Sequence, residues 1–529
     1  MINPEILQIV REKGLLLEKE IFEALSSVSD INVVRKLLEN FENLAGQKMI
    51  TRSSLIKNWV ISKDISHLTE GIEPRFLNIF IKLGIEINID TSAVKKPEKV
   101  EKLRQDYTLH YGKTTFAKKM EVSDFVGHFR VRYKELQNII LKRNNNWDNL
   151  ISINKISATR QQFSIIGMVF EKRLTKNKNL LVVFEDLTGK TNVVFKNGSN
   201  SFKDADELQL DEVVSVRCTG NNELIMGHEI FFPDSFVLQK TKFDEDCGIA
   251  FISDIHVGSK KFLRPEFDSF VTWLGSDDEL AKKIKYLFVV GDSVDGLGVF
   301  PGQEKLLEIK TLKGQYDDFA KYLKRIPERI TIFICPGQHD ISRVPEPQPP
   351  LDKVYAGALH DISNIVLVPN PCLVKLHEKG KEFKVQMYHG ASIHAFINSI
   401  EELRLLKAHK SPAKAVKHML KRRHLAPQHG ISASIVYVPN PEKDPLVISE
   451  VPDIVCTGEV HRLDIERYNG TLIMTGSCWQ ARTDFEEKVG NIPDPCKVPV
   501  FNVKTHELKV LDFSISEDRN MGRAEDFPK

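Results

Sequence analysis

Five short apolar runs in the second half of the chain each end on a polar, chemically active side chain. Residues 249–252 lead into Ser253-Asp254-Ile255-His256, and residues 286–290 into Gly291-Asp292-Ser293-Val294-Asp295. Residues 330–335 lead into Gly337-Gln338-His339-Asp340, 383–388 into His389, and 454–456 into Gly458-Glu459-Val460-His461. Short β-rich runs separated by longer segments predict the buried strands of an α/β sandwich with flanking helices. Side chains at the carboxyl ends of successive strands converge on one edge of the sheet. Carboxylates, imidazoles and an amide gathered there suit two divalent cations, which clamp a phosphate for hydrolysis. Taken singly, Asp292 after its glycine and Gly458-Glu459 read as turn residues, and His389 as a satisfied polar group. The ordered set of five outweighs those separate readings.

Ahead of this region the periodicity changes twice. Asn3 can cap a helix with Pro4 at its first position, Ile6, Ile9 and Val10 on one face, and Gly14 as its stop. Further helices fit 18–25 and 30–44, the latter capped by Asp30 and ended by Gly46, predicting a small helical domain over 1–90. Residues 91–120 are polar with little period and read as a linker, and 121–143 as a helix, so 91–146 is a linker-and-helix segment. Five short strands are predicted at 163–170, 180–185, 192–195, 213–218 and 229–232. With turn residues between them, they predict an OB barrel over 147–243. The sandwich then occupies 244–513, and the polar stretch 514–529 reads as a mobile tail.

Composition narrows the partners. The 529 residues carry a net charge of only +2, so any contact with nucleic acid must be local or supplied by a second chain. The densest basic stretch, Lys414, Lys417, Lys421, Arg422 and Arg423, reads first as a solvated helix face and second as a phosphate contact. Seven scattered cysteines without a C-x-x-C pair fit a reducing compartment. No basic-then-apolar leader opens the chain, and no apolar run approaches the ~20 residues that span a bilayer. A cytoplasmic protein without a membrane partner is expected.

The order D-x-H, G-D-x-x-D, G-Q-H-D, a lone His, then G-E-x-H resembles the calcineurin-like metallophosphoesterases. The stretch from Gly291 to Glu304, Glu346-Pro347-Gln348-Pro349-Pro350, Tyr388-His389-Gly390 and Arg422-Arg423-His424-Leu425-Ala426-Pro427 resemble, more narrowly, the small subunits of archaeal family D DNA polymerase. The resemblance covers roughly the last three quarters of the chain. It implies a two-metal phosphoesterase domain behind the barrel, a large catalytic polymerase subunit as partner, and 3′–5′ exonuclease proofreading at a DNA 3′ end. A sliding clamp is a further candidate partner, although no clear clamp-binding peptide is present. In such subunits the barrel packs on the phosphoesterase domain and the large subunit, which favours protein contact over DNA contact there.

Carried over residue by residue, the resemblance places one metal among Asp254, His256, Asp292 and His461. The second falls among Asp292, Gln338, His389 and Glu459, with Asp292 shared. His339 would face the leaving oxygen, Asp340 would fix its tautomer, and Asp295 would stand behind the ligands. Two positions depart from the family pattern: Gln338 stands for Asn, and Glu459 for His. The longer amide displaces its oxygen by about 1.5 Å, far beyond the ~0.2 Å that coordination tolerates. Glu459 adds a third carboxylate, which makes a bridging water less acidic and favours Mn²⁺ or Mg²⁺ over Zn²⁺. A noncatalytic scaffold with a degenerate site therefore stands as the alternative, and a free-standing small-molecule phosphodiesterase as a third.

Overall fold

The computed structural model describes residues 4–19, 21–22, 34–35, 38, 49–50, 106–112, 119–143, 147, 149–430, 436–515 and 525–526. The chain divides into two units, Met1–Arg104 and Gln105–Lys529. In the first, α1 (Pro4–Glu12) buries Ile6, Ile9 and Val10, and Gly14 follows it at φ +61°. β1 (Leu16–Leu17) pairs in parallel with β2 (Met49–Ile50), a strand pair that the all-helical expectation lacks. Val34, Arg35 and Leu38 are helical; the rest of the helical domain expected over 1–90 lies outside the described residues.

The second unit opens with a correction. Within the expected linker, β3 (Tyr107–His110) forms an edge strand of a six-stranded sheet. Tyr107 and Leu109 pack on the core while Thr108 and His110 stay exposed. Two apolar residues among charged neighbours are too short a pattern to stand out in a sequence. α2 (Val122–Arg143) follows where the periodicity predicts it and buries Tyr133, Leu136 and Ile140 against Ile166, Met168 and Val213.

Those last three residues belong to a closed five-stranded barrel. β4 (Gln161–Leu174), β5 (Leu180–Glu185), β6 (Lys190–Phe195), β7 (Val213–Gly220) and β8 (Ile225–Phe231) close in the order β4-β5-β6-β8-β7. α3 (Asn200–Asp206) lies between β6 and β7, capped by the Ser199 side chain, which accepts the Phe202 N–H at 3.2 Å. Alternating residues fill the interior, among them Phe163, Ile165, Val182, Phe184, Val193 and Phe195.

Two packed sheets make up the remainder. The first runs β12-β11-β10-β9-β18-β19-β20. Its parallel core is β9 (Gly248–Ile252), β10 (Ile284–Val290), β11 (Thr331–Cys335) and β12 (Ile365–Leu367). β18 (Lys497–Asn502), β19 (Leu508–Asp512) and β20 (Glu525–Asp526) extend it antiparallel, so two residues of the expected tail pair with the sheet. The second sheet runs β16-β17-β15-β14-β13-β3, from β13 (Cys372–Glu378), β14 (Lys381–Met387), β15 (Ile454–Thr457), β16 (Asp464–Tyr468) and β17 (Thr471–Thr475).

Both faces of the first sheet are covered, which is why its strands read as continuous apolar runs. Phe251, Phe288 and Phe333 stack between the sheets, with ring centroids 5.3 and 5.0 Å apart, against Val385, Met387 and Cys456. Their neighbours Ile252, Val289 and Ile334 face α4 (Arg264–Leu274) and α5 (Leu312–Leu323) through Phe267, Phe270 and Phe319. Each buried Phe contributes on the order of 1.5–3 kcal/mol. Val455 and Ile473 pack on the outer side of the second sheet against Phe396, Val416 and Met419.

The basic stretch lies on α6 (Ala413–Arg422), and neither expectation for its C-terminal end holds. Arg422 is buried against Glu212 at 2.5 Å, Lys421 pairs with Glu207 at 3.0 Å, and Arg423 donates to the carbonyls of Ile448 and Ser449 at 2.7 and 2.8 Å. Lys421 and Arg422 clamp the barrel to the sandwich, whereas Arg423 braces the sandwich internally. All seven cysteines are buried and unpaired.

Candidate metal centre

Three of the five apolar strands, β9, β10 and β15, turn sharply where their polar residues begin. Asp254, His256, Asp292, Glu459 and His461 all adopt left-handed backbone, with φ of 50°, 54°, 48°, 73° and 57°. Such conformations cost residues with a Cβ about 1–3 kcal/mol each and persist where surrounding contacts over-determine them. Those contacts run between the turns. The N–H groups of Ile255 and His256 donate to the Asp292 carbonyl at 2.9 and 3.1 Å, and Asp254 N–H to the Gly291 carbonyl at 3.1 Å. Glu459 N–H donates to Asp254 Oδ1 at 3.1 Å, and His339 N–H to Asp292 Oδ1 at 2.8 Å.

The side chains meet in overlapping groups. Ligand atoms of Asp254, His256 and His461 all lie within 4.8 Å of one another, as do those of Asp254, Asp292 and His389. Asp254 thus belongs to both groups, whereas the expected shared ligand, Asp292, stands in one. A third group joins His256, Asp295 and His339. Glu459 reaches the same place: its Oε2 lies 3.2 Å from His389 Nε2, which is also 3.3 Å from Asp292 Oδ2. Gln338 is half-buried between Gly337 and His339. It alone among the seven predicted ligands has no hydrogen bond or ion pair to the others among the described residues.

Hydrogen bonds set the imidazoles. His389 Nδ1 donates to the Val290 carbonyl at 3.0 Å, His461 Nδ1 to Glu486 Oε1 at 3.0 Å, and His339 Nδ1 to the Asp295 carbonyl at 2.7 Å. Each ring then presents Nε2 as its lone-pair atom, as a metal-ligating histidine requires. His461 Nε2 faces His256 Nε2 at 3.1 Å. Asp254 Oδ2, His256 Nδ1 and His389 Nε2 are buried without a hydrogen bond. Each such atom costs about 1–3 kcal/mol if nothing satisfies it; His256 Nδ1 faces Asp295 Oδ1 at 3.3 Å, and a divalent cation satisfies the other two. Burial raises the Asp254 carboxyl above its ordinary value. Burial would also lower His389, but Asp292, Glu459 and Asp254 outweigh it and hold the imidazole well above the usual range. A cation would supply the positive charge that the proton otherwise supplies. The donor set fits two oxygen- and nitrogen-bound divalent ions.

Asp340 requires correction. Its carboxylate does not touch the His339 ring; it accepts from Ser293 N–H at 3.1 Å, Gly337 N–H at 3.0 Å and Tyr316 OH at 2.9 Å. It pins the second and third strand-end turns together, and the Asp295 carbonyl orients His339 instead. Asp295 lies 3.3 Å from His256 Nδ1 and is held by Gln303 and Gln480.

Several supporting residues escaped sequence reasoning. Glu486, which orients His461, sits at the third position of α7 (Asp484–Val489), in a capping box with Thr483. That T-x-x-E signature announces a helix start and says nothing of a second use. Gln348, within the proline-rich stretch, donates to the Gly337 carbonyl at 3.0 Å and accepts from Asn370 at 2.7 Å. Asn370 Oδ1 in turn accepts the His389 N–H at 2.9 Å. His394 Nε2 lies 3.7 Å from Glu459 Oε1 at the rim.

Close backbone approach makes Gly337 a sensitive position. A Cβ there would lie 2.2 Å from Asp292 Oδ1 and 2.8 Å from His389 Nε2. Gly337→Ala is expected to keep the fold and weaken manganese binding by at least about 10–100-fold, the loss seen when supporting groups shift a ligand. Titration calorimetry beside a far-ultraviolet spectrum checks both halves of that expectation.

The family model for the B subunits of DNA polymerases alpha and epsilon matches residues 249–463. The chain is 36% identical over 462 residues to the DNA polymerase II small subunit of Pyrococcus furiosus, covering 84% of this chain and 71% of that one. It is 35% identical over 401 residues to the same subunit of Methanothermobacter thermautotrophicus, covering 74% and 80%. It is also 35% identical over 435 residues to that of Thermoplasma acidophilum, covering 80% and 84%. Among solved structures it is similar to a novel archaeal phosphodiesterase at 12% identity and TM-score 0.25, covering 50% of this chain and 98% of that chain. The chain belongs to the DNA polymerase II small subunits, the small-subunit family of archaeal family D DNA polymerase.

Proposed function

We propose that this small subunit is a 3′–5′ exonuclease built on a calcineurin-like phosphoesterase domain, and that it proofreads beside the large catalytic polymerase subunit. The observation that carries the reading is the convergence of five strand ends, three of them on left-handed backbone, on one cluster in which Asp254 Oδ2 and His389 Nε2 are buried without a hydrogen bond. Asp254, His256 and His461 would hold one divalent ion, and Asp292, His389, Glu459 and Gln338 the other, Mn²⁺ or Mg²⁺ on the oxygen-rich donor set. Bound there, the pair would polarise a phosphodiester and supply hydroxide at neutral pH. His339, tied at Nδ1 to the Asp295 carbonyl and held above its ordinary pKa by Asp292 against the effect of burial, would in its imidazolium form carry a second proton on Nε2 and deliver that one to the leaving oxygen. No described helix is long and apolar enough to cross a membrane, which fits a cytoplasmic replication role.

One observation favours the scaffold reading instead: the Gln338 amide makes no link to the cluster. The heterodimer of this chain and its large subunit, given Mn²⁺ and a labelled single-stranded 3′ end, decides between them. Stepwise shortening is expected, and His339→Ala should reduce it by about 10²–10⁴-fold with bound metal unchanged. A wild-type heterodimer that leaves the strand intact would sink the exonuclease and leave the scaffold.

A further inference from the structure

Beyond Asp295 the chain enters a loop, residues 296–304, to which the cleavage reading gives no part. Its side chains are unusual for a surface turn. Leu297, Val299 and Phe300 are 46%, 42% and 42% exposed, and Leu306 just past it 46%. Exposed apolar side chains on a loose loop would carry little meaning. This loop is not loose. Gln303, fully buried, accepts the Val299 N–H at 2.9 Å and donates to the Asp295 carbonyl at 2.7 Å. Gln315 on α5, also fully buried, accepts the Gly296 N–H at 2.9 Å and donates to the Gly296 carbonyl at 3.0 Å. Two buried amides spend their polar groups on holding an apolar surface still.

The surface stands at the cluster. The Phe300 ring centroid lies 6.5 Å from that of His339, at an interplanar angle of 64°. The same Asp295 whose carbonyl orients His339 is gripped by the loop's own Gln303. A rigid aromatic face with aliphatic flanks, one ring away from the group that meets the leaving oxygen, matches the π-face of a nucleobase.

We propose that Phe300, flanked by Leu297 and Val299, is the stacking platform for the terminal nucleobase of a single-stranded DNA 3′ end. The proposal rests on the exonuclease reading above and adds a positioning surface to it. An unpaired terminal base leaves its own stack at little cost, so a platform of this kind favours frayed ends over paired ones. Residues 296–304 thereby acquire a purpose that the metal ligands do not explain.

The test uses the heterodimer with Mn²⁺ and two single-stranded substrates, one ending in an ordinary nucleotide and one in an abasic sugar. Stacking of ~1–3 kcal/mol per base corresponds to a KM about 5–150-fold higher for the abasic end in the wild type. Phe300→Ala should give the same KM for both ends, and Phe300→Trp should restore the difference. A wild type that cleaves both ends with one KM overturns the platform and leaves the exonuclease standing. So does a Phe300→Ala variant that keeps the full preference. Loss of the large subunit from Phe300→Ala on sizing would show that the loop is a protein interface, which also overturns the proposal. A wild type that cleaves neither end removes the exonuclease reading and the platform with it.

Discussion

Asp292→Asn should abolish cleavage, lowering it by on the order of 10³-fold or more, with a parallel loss of bound manganese. The carboxylate is buried, its Oδ1 accepts the His339 N–H at 2.8 Å, and its Oδ2 lies 3.3 Å from His389 Nε2. Burial would raise its pKa, but His389 and His339 outweigh that effect and hold it well below the usual carboxylate range. It is therefore a full negative charge at the centre of the cluster. Asparagine keeps the size and the bond from His339, so the fold should survive. What disappears is the charge that an ion needs, and with it several kcal/mol of transition-state stabilisation at about 1.4 kcal/mol per tenfold. Elemental analysis of the purified variant beside its rate separates this outcome from misfolding. Full metal content with an inactive enzyme would assign Asp292 a different role.

The largest effect on stability is expected far from the cluster, at Arg132 and Asp444. Both are fully buried; Arg132 Nε meets Asp444 Oδ2 at 2.6 Å, Nη1 donates to the Pro427 carbonyl at 2.6 Å and Nη2 to Tyr437 OH at 2.7 Å. His424 Nε2 approaches the same carboxylate at 3.0 Å. Asp444→Ala strands a buried guanidinium and should cost about 3–5 kcal/mol. Arg132→Met combined with Asp444→Leu should cost less than the single change, because no charge is left unpaired. Burial opposes ionisation of Asp444, yet Arg132 and His424 outweigh it and hold its pKa well below the ordinary value. The pair's contribution is accordingly full above the unfolded aspartate pKa of about 3.9 and is lost as pH falls further. Thermal melts of the three proteins at pH 7 and pH 3 measure both effects. A double variant less stable than Asp444→Ala would contradict this account.

These two cases mark what the sequence discloses. The strands before Asp254, Asp292, Gln338 and Glu459 are legible because both their faces are buried, leaving apolar runs, whereas β14 before His389 is legible by Phe383, Val385 and Met387 alternating with Lys384 and Gln386. Barrel strand β7 is legible by the alternation of Val214, Val216 and Cys218 with Ser215, Arg217 and Thr219, and β5 as a continuous apolar run from Leu180 to Phe184. Arg132 is not: the periodicity of α2 rests on Phe125, Phe129, Tyr133 and Leu136, whereas its buried stripe includes His128 and Arg132, whose partners lie some 300 residues away. Charge at a helix position predicts solvent unless the distant carboxylate is known. The same holds for Lys421 and Arg422, expected in solvent and found against Glu207 and Glu212. Within the cluster, residue types and order are visible in the sequence, but the backbone strain that aims them is not. Asp340 sits next to His339 in sequence and points instead to Tyr316. Adjacency along a turn does not set side-chain direction.

The central claim is that these strand ends form a two-metal centre. Anomalous diffraction at the manganese edge, from crystals of the heterodimer grown with Mn²⁺, tests it most directly. Two peaks about 3.5–4 Å apart are expected, one beside Asp254, His256 and His461 and the other beside Asp292, His389 and Glu459. A single peak, or none in the cluster at saturating manganese, would contradict the claim.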